Sequence, residues 1–217
     1  KKILFAIILV GIQGVIGWYM VLSGLVDNPH VSHLRLALHL VLAFLLLAYV
    51  YWIRLSVIND SGNITDTQHL KHINCILFIF IIQIIFGAFV AGTKAGKLWN
   101  TFPLIDGQFF PSQLISMKPL YLNFINNMMM FQFMHRIIAI ILVAYCIYFF
   151  FKTTNERYSK YTGLLFMVIV NQFIIGVITL LTKVQINLGV LHQCIAIILI
   201  LLIIQIKHSI VYGNTVK

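Results

Sequence analysis

Charged residues are scarce in this sequence. Lysine, arginine, aspartate and glutamate make up 9% of its 217 residues, and only five of them are acidic. Soluble domains carry about 25% charged residues, so the composition excludes a water-soluble globular protein. Hydrophobic residues make up 61% of the chain, and the mean hydropathy is +0.98. They are grouped in blocks of about 18 residues or more, which is typical of transmembrane helices.

Several kinds of active-site motif are also missing. The three cysteines lie alone in apolar runs, without a CxxC pair, so we interpret them as packing residues. All five acids fall between the apolar blocks, which excludes paired catalytic carboxylates and a carboxylate proton relay inside the membrane. The formal net charge is +10. In such a hydrophobic chain this excess indicates basic loops on one membrane face and no nucleic-acid partner.

The apolar blocks predict an all-α polytopic membrane bundle with six transmembrane helices. We place them at residues 3–25, 36–53, 73–92, 125–151, 161–182 and 184–206. The only long connection, residues 93–124, is rich in aromatic residues and proline. It predicts either an interfacial loop or a lid over something bound beneath.

The orientation follows from counting basic residues on each side of the spans. Nine lysines and arginines fall on the side of the first residue and five on the other, with Arg136 inside a span. This predicts both termini on the cytoplasmic side of the membrane. His39, His135 and His192 then all lie a few turns or less below the outer face, which indicates one functional layer.

A two-helix unit occurs three times in the sequence. Odd-numbered spans contain Gln-x-x-x-Gly and even-numbered spans contain His-x-x-x-Ala, a pattern that predicts an internal repeat. The glutamine–glycine pairs are Gln13/Gly17, Gln83/Gly87 and Gln172/Gly176, and the histidine–alanine pairs are His39/Ala43, His135/Ala139 and His192/Ala196.

The three histidines are candidate haem ligands. A histidine inside a transmembrane segment is costly and usually functional. A small residue one turn away leaves room for a large flat ligand, and haem iron takes axial histidines from facing helices. Arg35 and Arg136 could then meet the haem propionates, and Gln132 could act as a hydrogen-bond donor to His135. The alternative is that the histidines only join helices by hydrogen bonds.

Four segments of the sequence match a known family. They are VSHLRLALHL at 31–40, GAFVAGTKAGKLWNTFPLIDGQFFP at 87–111, QFMHR at 132–136 and LGVLHQ at 188–193. Together they resemble haem A synthase, in its alphaproteobacterial and mitochondrial form. The resemblance implies two four-helix bundles related by an internal repeat, one for the substrate haem O and one holding haem b. It also implies an oxidoreductase that converts a haem O methyl group to a formyl group by successive hydroxylations.

The resemblance also implies roles for individual residues. His135 and His192 match the axial ligands of haem b, and His39 matches one histidine of the haem O site, with Arg35 nearby. The partner histidine of that site and a catalytic glutamate lie on an earlier helix in the family, and this sequence contains neither. We therefore expect residues 1–56 to be the second half of the haem O bundle and residues 57–217 to be the haem b bundle. We also expect an open groove beside His39 and no activity from this chain alone.

Two other functions fit the same residues. One is a bis-histidine cytochrome b that only transfers electrons, and the other is a membrane transporter or assembly factor with structural histidines. The expected location is a bacterial inner membrane. The expected partners are the lipid bilayer and haem O, with haem O synthase and a second copy of the chain as further candidates.

Overall fold

The computed structural model describes residues 1–22, 31–58 and 67–212. It contains six long helices and one short helix in this part of the chain. They are α1 Lys2–Val21, α2 His33–Ile58, α3 Thr67–Gly92, α4 Asn123–Asn126, α5 Met128–Lys152, α6 Ser159–Leu181 and α7 Ile186–Tyr212. All but α4 are long and apolar enough to cross a membrane. The predicted all-α, six-span architecture is therefore confirmed.

Four of the helices form a closed ring. Helix α3 packs against α5, α5 against α6, α6 against α7, and α7 returns to α3. Helix α2 packs on the outside of this ring against α3 and α7, and α1 packs against α2. Because α1 has no buried residue, the first two helices flank the ring, with α1 outermost.

The ring is packed most tightly at one end. All buried residues of α7 lie between Leu199 and Ile210, whereas its first thirteen residues are at least partly exposed. The largest core cluster fills the same half of the ring, with Phe80 from α3, Phe149 from α5 and Leu165 from α6. Between apolar helices in lipid, such close van der Waals packing drives association. The opposite half is more open, and it contains the candidate site.

The helix ends differ from the prediction by a few residues. Helix α5 begins at Met128, three residues after the predicted start, because the side chain of Asn127 accepts hydrogen bonds from the backbone of Met129 and Met130. Helices α2 and α7 extend five and six residues past their predicted ends. Arg54 lies in the extended part of α2 with its side chain exposed, so a charged residue there does not end the helix.

The long connection between α3 and α5 is folded. It forms three short 3-10 turns and a tight reversal at Asp106 and Gly107, where both residues have positive φ. The fully buried amide of Asn123 bonds to the backbone of Met117 and Leu120. These bonds hold the connection in its folded shape.

Candidate functional site

A cavity of about 550 Å³ lies in the open half of the ring. This volume is within the range of small-molecule and cofactor sites. His135 of α5 and His192 of α7 both line it. Its other walls are mainly apolar and come from α2, α3, α5, α6 and α7, and the tight core begins at Phe44, Phe80, Leu142, Ile169 and Leu199. The cavity thus brings together two of the three predicted histidines.

The ring of His135 lies against the bare backbone of α3. A Cβ atom added to Gly87 would be 3.1 Å from His135 Cε1, closer than most real contacts of this kind. One turn earlier on α3, the amide nitrogen of Gln83 lies 3.3 Å from His135 Nε2. The other ring nitrogen, Nδ1, is buried and has no hydrogen-bond partner.

His192 has the same surroundings on the opposite side of the ring. A Cβ atom on Gly176 of α6 would be 2.9 Å from His192 Cε1. Gln172 Nε2 lies 3.3 Å from His192 Nε2 and donates to the backbone oxygen of His192 at 3.0 Å. His192 Nδ1 is also buried without a partner.

His39 has the third set of these contacts, between α1 and α2. A Cβ atom on Gly17 would be 3.1 Å from His39 Cε1, and Gln13 Nε2 donates to the backbone oxygen of His39 at 3.0 Å. His39 is not part of the wall of the cavity, although Leu36 and Leu40 of the same helix are. The structure therefore separates His39 from the other two histidines. The open groove that we expected beside His39 stays a prediction.

Arg136 lies at the edge of the cavity, under the long connection. Its guanidinium donates to the backbone oxygens of Pro103 at 3.4 Å, Leu104 at 3.3 Å and Trp99 at 3.3 Å, and to Gln132 Oε1 at 2.8 Å. These acceptors are all neutral. Arg136 Nε is buried without a hydrogen-bond partner, and the carboxylate of Asp106 is near enough to interact with the charge of this arginine.

Gln132, which we considered as a donor to His135, has other partners in the structure. Its side chain is 2% exposed, and its Nε2 donates to the backbone oxygens of Ala95 at 3.2 Å and Trp99 at 3.0 Å. Its Oε1 accepts from Arg136. Gln132 therefore joins Arg136 to the connection, and the amide beside His135 belongs to Gln83.

Arg35 lies against α1. It donates to the backbone oxygen of Tyr19 at 2.9 Å, and its guanidinium carbon is 3.9 Å from the centre of the Tyr19 ring. This contact places a cation near the end of α1, where a positive charge interacts favourably with the helix dipole. Arg35 is one turn before His39 on α2. It contacts Tyr19 of α1, whereas His39 contacts Gln13 and Gly17 of the same helix.

The connection also covers part of the cavity. Phe102 lines it and packs edge-on against Phe173 of α6 at 6.0 Å between ring centres. Lys94 and Lys97 lie at the same rim as Arg136. The sequence predicts either an interfacial loop or a lid for this segment, and its position over the cavity favours a lid.

The residues present fit a haem. The cavity supplies two histidines with an unpartnered ring nitrogen each, mainly apolar walls, and cationic groups at one rim. Haem needs axial nitrogen ligands, apolar contact with the porphyrin and cations for its propionates. Sequence reasoning had not assigned Gln83 and Gln172 to the histidines, although their repeated spacing was visible.

The similarity of the chain to known proteins identifies its family. The model of the family described as cytochrome oxidase assembly protein, COX15-CtaA, matches residues 1–204. The chain belongs to this family. The resemblance of its sequence motifs to haem A synthase is confirmed, because relatives with this name match most of the chain.

The relatives of the chain include proteins that carry the name Heme A synthase. The chain is 38% identical to the one from Nitrosospira multiformis over 209 residues, which cover 91% of this chain and 58% of the relative. It is 40% identical to that of Flavobacterium johnsoniae over 207 residues, 92% of this chain and 61% of the relative. It is 39% identical to that of Wolbachia pipientis wMel over 205 residues, which cover 91% of this chain and 57% of the relative. The chain thus spans about three fifths of the length of these relatives.

Proposed function

We propose that the cavity binds haem b, with His135 and His192 as the two axial ligands of one iron. The observation that carries this proposal is that both histidines line one cavity and each has a buried, unpartnered ring nitrogen. Bis-histidine sites in helical bundles are built from side chains on facing helices in this way. When bound, the haem would supply one-electron redox chemistry.

Other residues of the chain orient the haem and exclude water. Arg136 binds a propionate through its charge, and the neighbouring Lys94 and Lys97 add positive potential at the same rim. Gln132 holds Arg136 in place. Phe102 closes the rim and lowers the access of water, which strengthens the interaction between Arg136 and the propionate.

We infer that the whole protein takes part in haem A synthesis, as the names of its relatives suggest. The reaction would convert a methyl group of haem O to a formyl group by successive hydroxylations. His39 would be a ligand of the substrate haem, with Arg35 near its propionates, in the part formed by residues 1–56. Residues 57–217 would hold haem b. No catalytic residue is assigned in this chain.

The membrane setting is part of the proposal. The chain is a multi-pass membrane protein, and the proposed location is a bacterial inner membrane. The excess of basic residues on the side of the first residue supports cytoplasmic termini. The cavity would then open near the outer face. Haem O synthase, which would deliver the substrate, and a second copy of the chain are candidate partners.

The proposal is tested by spectroscopy on purified protein. A reduced-minus-oxidised spectrum of the wild type should show a low-spin b-type haem. The variants His135→Ala and His192→Ala should each lose the low-spin signal. The matched control is His72→Ala, because His72 belongs to α3 but binds Tyr145 and Lys152, outside the cavity wall. Wild-type protein without bound haem, or unchanged spectra in both cavity variants, would contradict the proposal.

An electron-transfer cytochrome b is the second candidate, because the His135–His192 site serves both functions. Mass spectrometry of the extracted haems distinguishes the synthase from the electron-transfer cytochrome. Haem A formed from haem O by the whole protein supports the synthase, and unaltered haem O leaves only the cytochrome. Absence of any bound haem would favour a transporter or assembly factor.

A further inference from the structure

The cavity is closed by apolar side chains on the side away from the long connection. Each helix of the ring supplies one of them, and each is at most 4% exposed. They also belong to the largest core cluster, which fills the rest of the ring. We call these four residues the floor of the cavity. They are Phe80 of α3, Leu142 of α5, Ile169 of α6 and Leu199 of α7.

Two floor residues have the same position relative to the candidate ligands. Leu142 follows His135 by seven residues on α5, and Leu199 follows His192 by seven residues on α7. Seven residues make about two helix turns, so each leucine is on the face of its histidine and about 10 Å further from the connection. Side chains on a helix lean toward its N-terminus. Both leucines therefore lean back toward the space between the histidines.

The other two floor residues come from the helices that run in the opposite direction. Phe80 is three residues before Gln83 on α3, and Ile169 is three residues before Gln172 on α6. The two glutamines contact the rings of the candidate ligands. Phe80 and Ile169 are thus about one turn further from the connection than these contacts. The floor closes the cavity from all four helices, one to two turns below the histidine rings.

The charges of the cavity wall lie at the other end. Its cations among the described residues are Lys94, Lys97 and Arg136, on or under the connection, whereas the floor is wholly apolar. A haem carries both propionates on one edge. When these pair with the cations, the opposite edge of the porphyrin faces the floor. In haem b that edge carries short vinyl groups, and in haem O a long isoprenoid chain replaces one of them.

We propose that the floor determines which haem this cavity accepts, because it fits the vinyl edge of haem b and excludes the isoprenoid chain of haem O. Core side chains are packed as densely as organic crystals, so added carbon atoms force neighbouring side chains out of place. The chain of haem O would collide with Leu142 and Leu199. The inference rests on the proposed haem b site and assigns its specificity to named residues.

The test compares the affinities of the two haems. Haem b and haem O are titrated separately into the purified chain without bound haem, in a His39→Ala background that removes the other candidate ligand. The readout is the low-spin bis-histidine spectrum, which requires both His135 and His192. With the native floor, haem O should bind about tenfold or more weakly than haem b, the usual scale of a steric conflict in a packed core.

Two variants open the floor, and one variant is the matched control. Leu199→Ala and Phe80→Val should each lower the preference for haem b by roughly tenfold, because they leave space for the chain. Leu202→Ala is the control, since Leu202 is buried in the same core three residues later on α7 but lies outside the cavity wall. It loses the same number of carbon atoms and should keep the preference of the native floor.

The outcomes separate this inference from the function on which it rests. Equal affinity of the native floor for both haems overturns the inference and leaves the haem b site in place. An unchanged preference in both floor variants also overturns it. If one floor variant binds neither haem, the other variant decides, and if both fail, the preference of the native floor decides. Absence of a bis-histidine spectrum with haem b would contradict the proposed function itself.

Discussion

The ring of His192 lies directly on the backbone of Gly176, so that a Cβ atom at this glycine would be 2.9 Å from His192 Cε1. Real Cβ atoms essentially never come this close to another heavy atom. The contact joins α6 to α7 at the level of the cavity. It also gives a physical reason for glycine one turn after Gln172, because any side chain there would move the histidine.

The first prediction follows from this contact. Gly176→Ala should displace His192 and lower haem affinity by roughly 10–100-fold, the usual effect of disturbing the surroundings of a metal ligand. The measurement is haem bound per protein over a haem titration. The control is Gly163→Ala on the same helix, where the added Cβ would be 3.5 Å from Phe150, an ordinary contact. Both changes raise helix propensity equally, so equal haem binding in the two variants would contradict the prediction.

The second prediction concerns charge at the cavity rim. Arg136→Leu removes the cation proposed for a propionate, and charge-assisted hydrogen bonds contribute about 1.5–3 kcal/mol. Haem affinity should therefore fall by about tenfold or more. Arg54→Leu is the control, since Arg54 is exposed on α2 outside the cavity wall. Equal haem content in the two variants would exclude the propionate role.

The third prediction distinguishes two roles of Gln132, namely holding the connection in place and contacting His135 directly. In Gln132→Leu, the backbone oxygens of Ala95 and Trp99 each lose one donor and keep another, from Leu98 and Arg136 respectively, which should destabilise this part of the connection by about 0.5–1.5 kcal/mol. Hydrogen exchange of residues 95–99 should become faster. Gln113→Leu, at an exposed position of the same connection, should leave the exchange rate unchanged. Normal exchange with an altered haem spectrum would instead indicate direct contact with His135.

The fourth prediction concerns orientation in the membrane. In a background without Cys75, Cys146 and Cys194, Lys118→Cys should react with a membrane-impermeant maleimide in intact spheroplasts. Glu156→Cys, between α5 and α6, should react only after the membrane is permeabilised. The opposite labelling pattern would place the termini on the outer side of the membrane and the cavity near its cytoplasmic face.

The six spans were predictable because hydropathy alone identifies apolar blocks of bilayer length. Their ends were less accurate, since a helix continues past the first charged residue when that side chain reaches water. Arg54 is such a case, because α2 continues to Ile58. The start of α5 depended on the Asn127 cap, which a hydropathy pattern does not reveal.

The candidate histidines were recognisable by their repeated spacing, but their neighbours were not. Gln132 is one turn from His135 in sequence, and this proximity suggested a contact. The actual neighbour, Gln83, is 52 residues earlier and reaches His135 across a helix–helix interface. The repeat contained this information, because each glutamine has the same position relative to its glycine. The contact itself is known only from the structure, in which α3 packs against α5.

Helix α2 presents different faces to two histidine sites. Leu36, Leu40 and Phe44 form part of the wall of the cavity, while His39 of the same helix contacts α1. Because a helix with its side chains is only about 10–12 Å across, the two sites are one helix diameter apart. Substitutions in α2 should therefore affect either the cavity or the contact of His39 with α1, according to the face of the helix on which they lie.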